Sequence, residues 1–121
     1  MNAEFESIDV PTAEAMWRSG DLVVDVRMAE EYASGHIAGA VHVPLDRIPF
    51  LLSTLPPGHV IAVCSMGNRS RRAAETFARL GRTSFSLQGG TKAWEAAGLP
   101  IERSPSPGPR VRESWWRRLL R

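Results

Sequence analysis

Short apolar runs rich in β-branched residues alternate along this chain with stretches of helical periodicity. Residues 22–26 (LVVDV), 41–43, 60–63 and 84–87 read as strands, and residues 5–10 offer a fifth. Between them, residues 12–19, 30–34, 47–52, 70–80 and 91–97 suit helices. Ala73, Ala74, Phe77 and Leu80 recur at helical spacing and mark a stripe expected to face the core. Strands that alternate with helices predict an α/β fold with a parallel sheet covered on both faces. The pattern changes after Ile101. Three prolines fall within five residues (Pro105, Pro107 and Pro109), and neither a helix interior nor a central strand accepts that density. Residues 1–101 are therefore expected to form one domain, residues 102–110 a Pro-rich linker and residues 111–121 a basic amphipathic tail.

Composition narrows the class. A chain of 121 residues with 43% hydrophobic residues suits one compact domain with a real core. It has no apolar run long enough to span a bilayer. The first ten residues, MNAEFESIDV, show neither the basic start nor the apolar stretch of a secretory signal. One cysteine can form no internal disulfide and no cysteine-rich zinc site, so a reducing, cytoplasmic setting is expected. His36, His42 and His59 lack metal-ligand spacing, and no metal is expected.

The net charge of +2 conceals an asymmetry. Residues 102–121 hold six Arg against two Glu, whereas the other 101 residues hold nine basic and eleven acidic groups. A mildly acidic domain argues against nucleic-acid binding, which needs a basic face. In the tail, Trp115, Trp116, Leu119 and Leu120 span one side of a helix capped at Ser114, with Arg117, Arg118 and Arg121 on the other. That pattern suits contact with the inner face of a membrane, and equally a tail without fixed structure.

The candidate chemistry sits at one strand end. Residues 60–63 run into Cys64, then Ser65-Met66-Gly67-Asn68-Arg69-Ser70, then a helix. Open α/β sheets bind ligands at the carboxyl ends of their strands. A turn from strand into helix aims several backbone N–H groups inward as an anion nest, and the helix start adds partial positive charge. Gly67 permits the tight curl, and Arg69 contributes a full positive charge. A free cysteine has a pKa of about 8.5; electropositive sites of this kind lower it to roughly 3.5–7.5. A lone cysteine at a strand end is more often plain packing. The Cys-x-x-Gly-x-Arg-Ser setting is what moves the reading from inert to nucleophilic.

Several separated motifs together make residues 4–101 resemble the rhodanese family. They are Asp25-Val26-Arg27, Glu31-Tyr32 with Gly35-His36-Ile37-Ala38-Gly39-Ala40, Cys64 to Arg69, residues 87–94 (LQGGTKAW), and Gly98-Leu99-Pro100. The resemblance implies a five-stranded parallel sheet with helices on both faces. It also implies a thiosulfate sulfurtransferase in which Cys64 carries sulfane sulfur as a persulfide, with no cofactor. Ser65, Met66, Gly67, Asn68, Arg69 and Ser70 would line the substrate cradle, and Arg27 could reach the pocket rim. The donor would be thiosulfate or a persulfide, and the acceptor cyanide, a thiol or a protein thiol. A persulfide carrier serving a partner protein is the second reading. A small phosphatase or arsenate reductase of the same fold is the third. Four residues separate Cys64 from Arg69, against five in the phosphatase-like members, and the tighter loop suits one extra sulfur better than a phosphoryl group.

Other polar residues read as structural. Arg27 is expected to pair with Glu31, partly buried, and so to steer the chain after its strand. His36 reads as a hydrogen-bonded structural histidine, and Gly89-Gly90 as a tight strand-to-helix turn, since the Lys-Ser/Thr of a P-loop is missing. Trp94 reads as core.

Overall fold

A computed structural model describes residues 4–103 of the chain. The tail at 111–121 and nearly all of the expected linker lie outside the described residues. The elements are β1 (Glu6–Ile8), α1 (Val10–Arg18), β2 (Leu22–Asp25), α2 (Ala29–Ser34), β3 (His36–Ile37) and β4 (Val41–His42). They continue as α3 (Ile48–Leu51), flanked by 3-10 turns at Leu45–Arg47 and Leu52–Thr54, β5 (Val60–Val63), α4 (Asn68–Arg79), β6 (Ser84–Leu87), α5 (Gly90–Ala96) and β7 (Ile101–Glu102). Five strands pair in the order β1-β6-β5-β2-β4, every pair parallel. The expected five-stranded parallel α/β sheet is the architecture of this chain.

β5 lies at the centre, and all four of its residues are buried. A strand buried on both faces needs apolar residues at every position, which is why Val-Ile-Ala-Val shows no alternation in polarity. Alternation shows instead in where the side chains pack. Val60, Ala62 and then Cys64 join Ala73, Ala74 and Phe77 of α4 and Ile48 of α3. Ile61 and Val63 turn to the opposite layer, with Ala13 of α1 and Trp94 of α5. Trp94 is core, as its pattern suggests, with its indole N–H donated to the Pro100 carbonyl at 2.9 Å.

Three differences from the sequence pattern have local causes. α1 begins at Val10, two residues early, because Asp9 caps it by accepting the Thr12 N–H at 3.0 Å and Pro11 fits the first turn. Leu80, placed on the core stripe of α4, is 45% exposed. It follows the last helical residue, so the helical period no longer governs its direction. Ser70 and not Leu80 completes the buried face with Ala73, Ala74 and Phe77. Finally, β3 and β7 form a small antiparallel ladder, His36 opposite Glu102 and Ile37 opposite Ile101. Two-residue strands leave no period to read. This ladder carries the regular structure one residue past Ile101, into the segment expected to be linker.

Phe77 is fully buried beneath the central strand on the Cys64 side. Phe77→Ala should cost about 3–5 kcal/mol of stability. Urea unfolding followed by tryptophan fluorescence checks this; a loss under 1 kcal/mol would contradict the packing described.

Candidate active site

Cys64 follows the last residue of β5 and keeps the strand's alternation, so its side chain enters the layer beneath α4. The chain then turns through Ser65, Met66 and Gly67 into α4. Gly67 occupies the N-cap position with φ +115°, a left-handed conformation that L side chains rarely adopt. Being glycine, it has no side chain with which to cap the helix. The cysteine supplies the missing acceptor. Its Sγ accepts the N–H of Gly67 at 3.1 Å and the N–H of Ser70, third residue of α4, at 3.3 Å. The N–H of that third residue is one that a capping side chain ordinarily satisfies.

The Ser70 hydroxyl lies 3.6 Å from the same sulfur. It is fixed by the Gly67 carbonyl at 3.1 Å and by the Ser86 hydroxyl of β6 at 2.8 Å. Two effects therefore compete at the thiol. Burial, the largest single influence, raises its pKa. The hydrogen bond with the Ser70 hydroxyl and those from the N–H groups of Ser70, Gly67 and Met66 together outweigh burial, and the thiol ionises below its ordinary value. A buried sulfur, 1% exposed, is thus held where its anion is favoured.

Arg69 reaches from α4 to the first turn of α2. Its guanidinium is clamped by Glu31 through two parallel bonds, Nη1 to Oε1 at 2.8 Å and Nη2 to Oε2 at 2.9 Å. Nη2 also donates to the Ser65 hydroxyl at 3.2 Å, and that hydroxyl donates to Glu31 Oε2 at 3.2 Å. The Met28 N–H adds a third donor to Glu31 at 3.0 Å. Arg69 hydrogen bonds, with help from Met28 and Ser65, hold the Glu31 carboxyl at about 2. The clamp joins the active loop to the first turn of α2.

The expected Arg27–Glu31 pair is accordingly wrong on both sides. Arg27 pairs with Asp25, two residues back, through Nε to Oδ1 at 2.9 Å and Nη2 to Oδ2 at 2.8 Å. Both side chains are buried, and Nη2 also donates to the Gly35 carbonyl at 2.7 Å. The pair forms within the bend after β2, which brings Arg27 back over Asp25 and leaves Glu31 to face the cysteine loop. His36 is buried, stacked on Tyr32 at 3.7 Å, and its Nδ1–H donates to the Tyr32 carbonyl at 2.7 Å, a structural role. Met66 is 66% exposed and Asn68 is exposed, both at the mouth of the turn.

Gly89-Gly90 is more than a turn. Thr91 N–H donates to the Cys64 carbonyl at 2.8 Å and Lys92 N–H to the Ser65 carbonyl at 3.2 Å. A Cβ at Gly90 would stand 2.3 Å from the Cys64 carbonyl oxygen and 2.5 Å from Ser65 backbone atoms. The start of α5 therefore presses backbone against backbone on the cysteine loop. Neither this contact nor the roles of Glu31 and Ser86 follow from residue spacing; only Glu31 had a signal, its place in the Glu31-Tyr32 motif. Among the described residues, no group of three or more His, Cys, Asp or Glu is placed to hold a metal ion. No helix there is long and apolar enough to cross a membrane.

The family model of the rhodanese-like domain matches residues 10–97. The chain belongs to the rhodanese family. Among curated relatives, the thiosulfate sulfurtransferase GlpE of Pseudomonas fluorescens is 37% identical to this rhodanese over 104 residues, 84% of this chain and 94% of the relative. A rhodanese-related protein from Thermoplasma volcanium superposes with a TM-score of 0.74 at 26% identity, covering 81% of this chain and 98% of the other. A thiosulfate sulfurtransferase from Pseudomonas aeruginosa superposes at 0.75 with 33% identity, covering 92% of this rhodanese but 22% of that longer chain.

Two predictions follow from this geometry. Ser70→Ala removes the hydroxyl bonded to the sulfur, so the Cys64 pKa should rise and alkylation by iodoacetamide at neutral pH should slow severalfold. The pH–rate profile of alkylation checks it, and an unshifted profile would remove the hydroxyl from the sulfur's support. The second concerns acid. Glu31 titrates at about 2 when folded against 4.5 for an unperturbed carboxyl. The clamp's contribution is complete above the unfolded value and is lost as pH falls through that window. Wild type should exceed Glu31→Gln in stability at pH 7, and denaturant unfolding should find that margin shrinking steadily below pH 4.5.

Proposed function

We propose that this rhodanese moves sulfane sulfur through a persulfide on Cys64. The single observation that carries the reading is the buried Cys64 sulfur, held by the N–H groups of Gly67 and Ser70 and the hydroxyl of Ser70. The relatives named thiosulfate sulfurtransferase support thiosulfate as the donor class. The Cys64 thiolate attacks the outer sulfur of thiosulfate. A new S–S bond forms, the old one breaks, and its electron pair departs with sulfite. The terminal persulfide sulfur, now anionic, rests over the loop, where N–H groups replace the water that a free anion would have. A thiophilic acceptor such as cyanide or a thiolate then attacks that outer sulfur, and Cys64 leaves as thiolate. The cycle is ping-pong and needs neither a cofactor nor a general base, since every attacking group is already an anion.

Arg69 acts as a positioning residue in this cycle. Its charge is largely spent on Glu31, so it shapes the loop and biases the field in place of gripping the donor bidentately. The four-residue span from Cys64 to Arg69 favours sulfur over a phosphoryl group with three oxygens. Delivery to a protein thiol has its own support: Met28 and Met66, 60% and 66% exposed, flank the clamp and the loop. Exposed methionines beside a reactive sulfur suit an adaptable protein surface better than cyanide alone. The lone thiol suits a reducing, cytoplasmic setting.

Incubation with thiosulfate should add the mass of one sulfur atom to Cys64, reversed by cyanide, and Cys64→Ser should show neither gain nor turnover. Hydrolysis of p-nitrophenyl phosphate without any sulfur uptake would overturn the reading in favour of the phosphatase class. Faster discharge by a reduced dithiol protein than by an equimolar small thiol would select the protein acceptor.

A further inference from the structure

A polar cavity lies between Ser65 and the start of α5. Its volume is about 150 Å³, and Arg27, Ser34, Ser65, Thr91, Lys92 and Arg103 are in its wall. That is about five waters' worth of liquid, room for an oxyanion built on one central atom and its hydration, and too little for a nucleotide. The charge is lopsided. Arg27, Lys92 and Arg103 line it; Asp25 already balances Arg27, so Lys92 and Arg103 supply the remaining positive charge, and Glu95 is the single acid in the lining. Glu95 meets Arg103 at 3.5 Å with both side chains more than half exposed, a weak surface pair. Lys92 has no acidic partner among the described residues.

Two further observations show a built site and not a chance gathering of surface charge. The Arg27 side chain is only 7% exposed, and its bonds to Asp25 and Gly35 use Nε and Nη2 only. Nη1 has no partner among the described residues. Thr91, 94% buried in the same wall, has a hydroxyl with no hydrogen-bond partner. An unpartnered N–H at the tip of a largely buried arginine, and an unpartnered buried hydroxyl, in the wall of one cationic cavity ask for an acceptor-rich anion.

We propose that this cavity is a binding site for a small tetrahedral or pyramidal oxyanion of the sulfate and sulfite class. The site is distinct from the cysteine cradle and is coupled to it. The coupling is structural: Lys92 N–H holds the Ser65 carbonyl and Thr91 N–H holds the Cys64 carbonyl, so an anion drawing on Thr91 and Lys92 bears on the loop that carries the sulfur. The choice of sulfite as a natural occupant rests on the sulfur-transfer reading, because sulfite is what thiosulfate leaves behind. The existence of the site does not.

The test uses the reduced, sulfur-free chain and follows backbone amide shifts during separate titrations with sodium sulfate and sodium sulfite. Sodium chloride at equal ionic strength is the reference. Saturable shifts centred on Ser65, Thr91, Lys92 and Arg103 are expected, retained in Cys64→Ala and weakened at least tenfold in the Lys92→Gln, Arg103→Gln double variant. Glu95→Gln, which frees Arg103, should tighten binding. Shifts confined to residues 66–70, shifts matching those of chloride, or affinity unchanged by the double variant would each overturn the proposal. Saturation by sulfate alone supports a general anion site and removes sulfite as its occupant. A chain that binds sulfate here yet gains no sulfur from thiosulfate would defeat the transfer reading and leave this site standing.

Discussion

A sulfur anion buried at the end of a central strand must be given donors in place of water. Nearly everything around Cys64 answers that requirement. Burial alone would raise the thiol's pKa and make the residue inert. The fold counters with N–H groups that an α-helix start leaves unsatisfied in any case. Because position 67 is glycine, no capping side chain competes for them, and the sulfur becomes the acceptor for α4. One contact thus completes the helix and favours the thiolate. The two roles cannot be separated by substitution at Cys64, which makes probes of the donors, such as Ser70, more informative than removal of the sulfur itself.

Around that contact the charged residues serve mainly as scaffolding. Asp25 and Arg27 lock the bend after β2, while Glu31 and Arg69 lock the cysteine loop to α2. Tyr32, stacked between His36 and His42 with its hydroxyl donated to the Ala40 carbonyl at 2.6 Å, stiffens the stretch from which Glu31 projects. Ion pairs such as these, the first buried and the second partly exposed, stabilise little in net terms but penalise any other arrangement. Their effect here is positional. They hold the cysteine loop to α2 and the bend after β2 in one arrangement.

The layered sheet was legible in the sequence because β-branched runs and helical stretches alternate without ambiguity. The cysteine loop was legible because strand, glycine, arginine and helix follow one another within a few residues. What escaped was settled by tertiary geometry. Arg27 has acids at both Asp25 and Glu31 within reach by numbering, and only the path of the bend after β2 decides between them. Ser86 looked like any strand serine until parallel pairing of β6 with β5 set it beside Ser70. The β3–β7 ladder joins residues some 65 positions apart through two-residue strands, a pairing that no local pattern encodes.

The close approach at Gly90 bears on how such a fold can change its chemistry. Lengthening the cysteine loop by one residue looks, on paper, like a local route from sulfur to phosphate. Here the first two residues of that loop are wedged against the start of α5, with no space for even a methyl group between them. A wider loop would have to move α5, and with it Trp94 and the layer beneath the sheet. Insertion into this loop alone is thus predisposed to yield a misfolded sulfurtransferase and not a phosphatase, and a designed or evolving switch of activity would have to begin on the far helix.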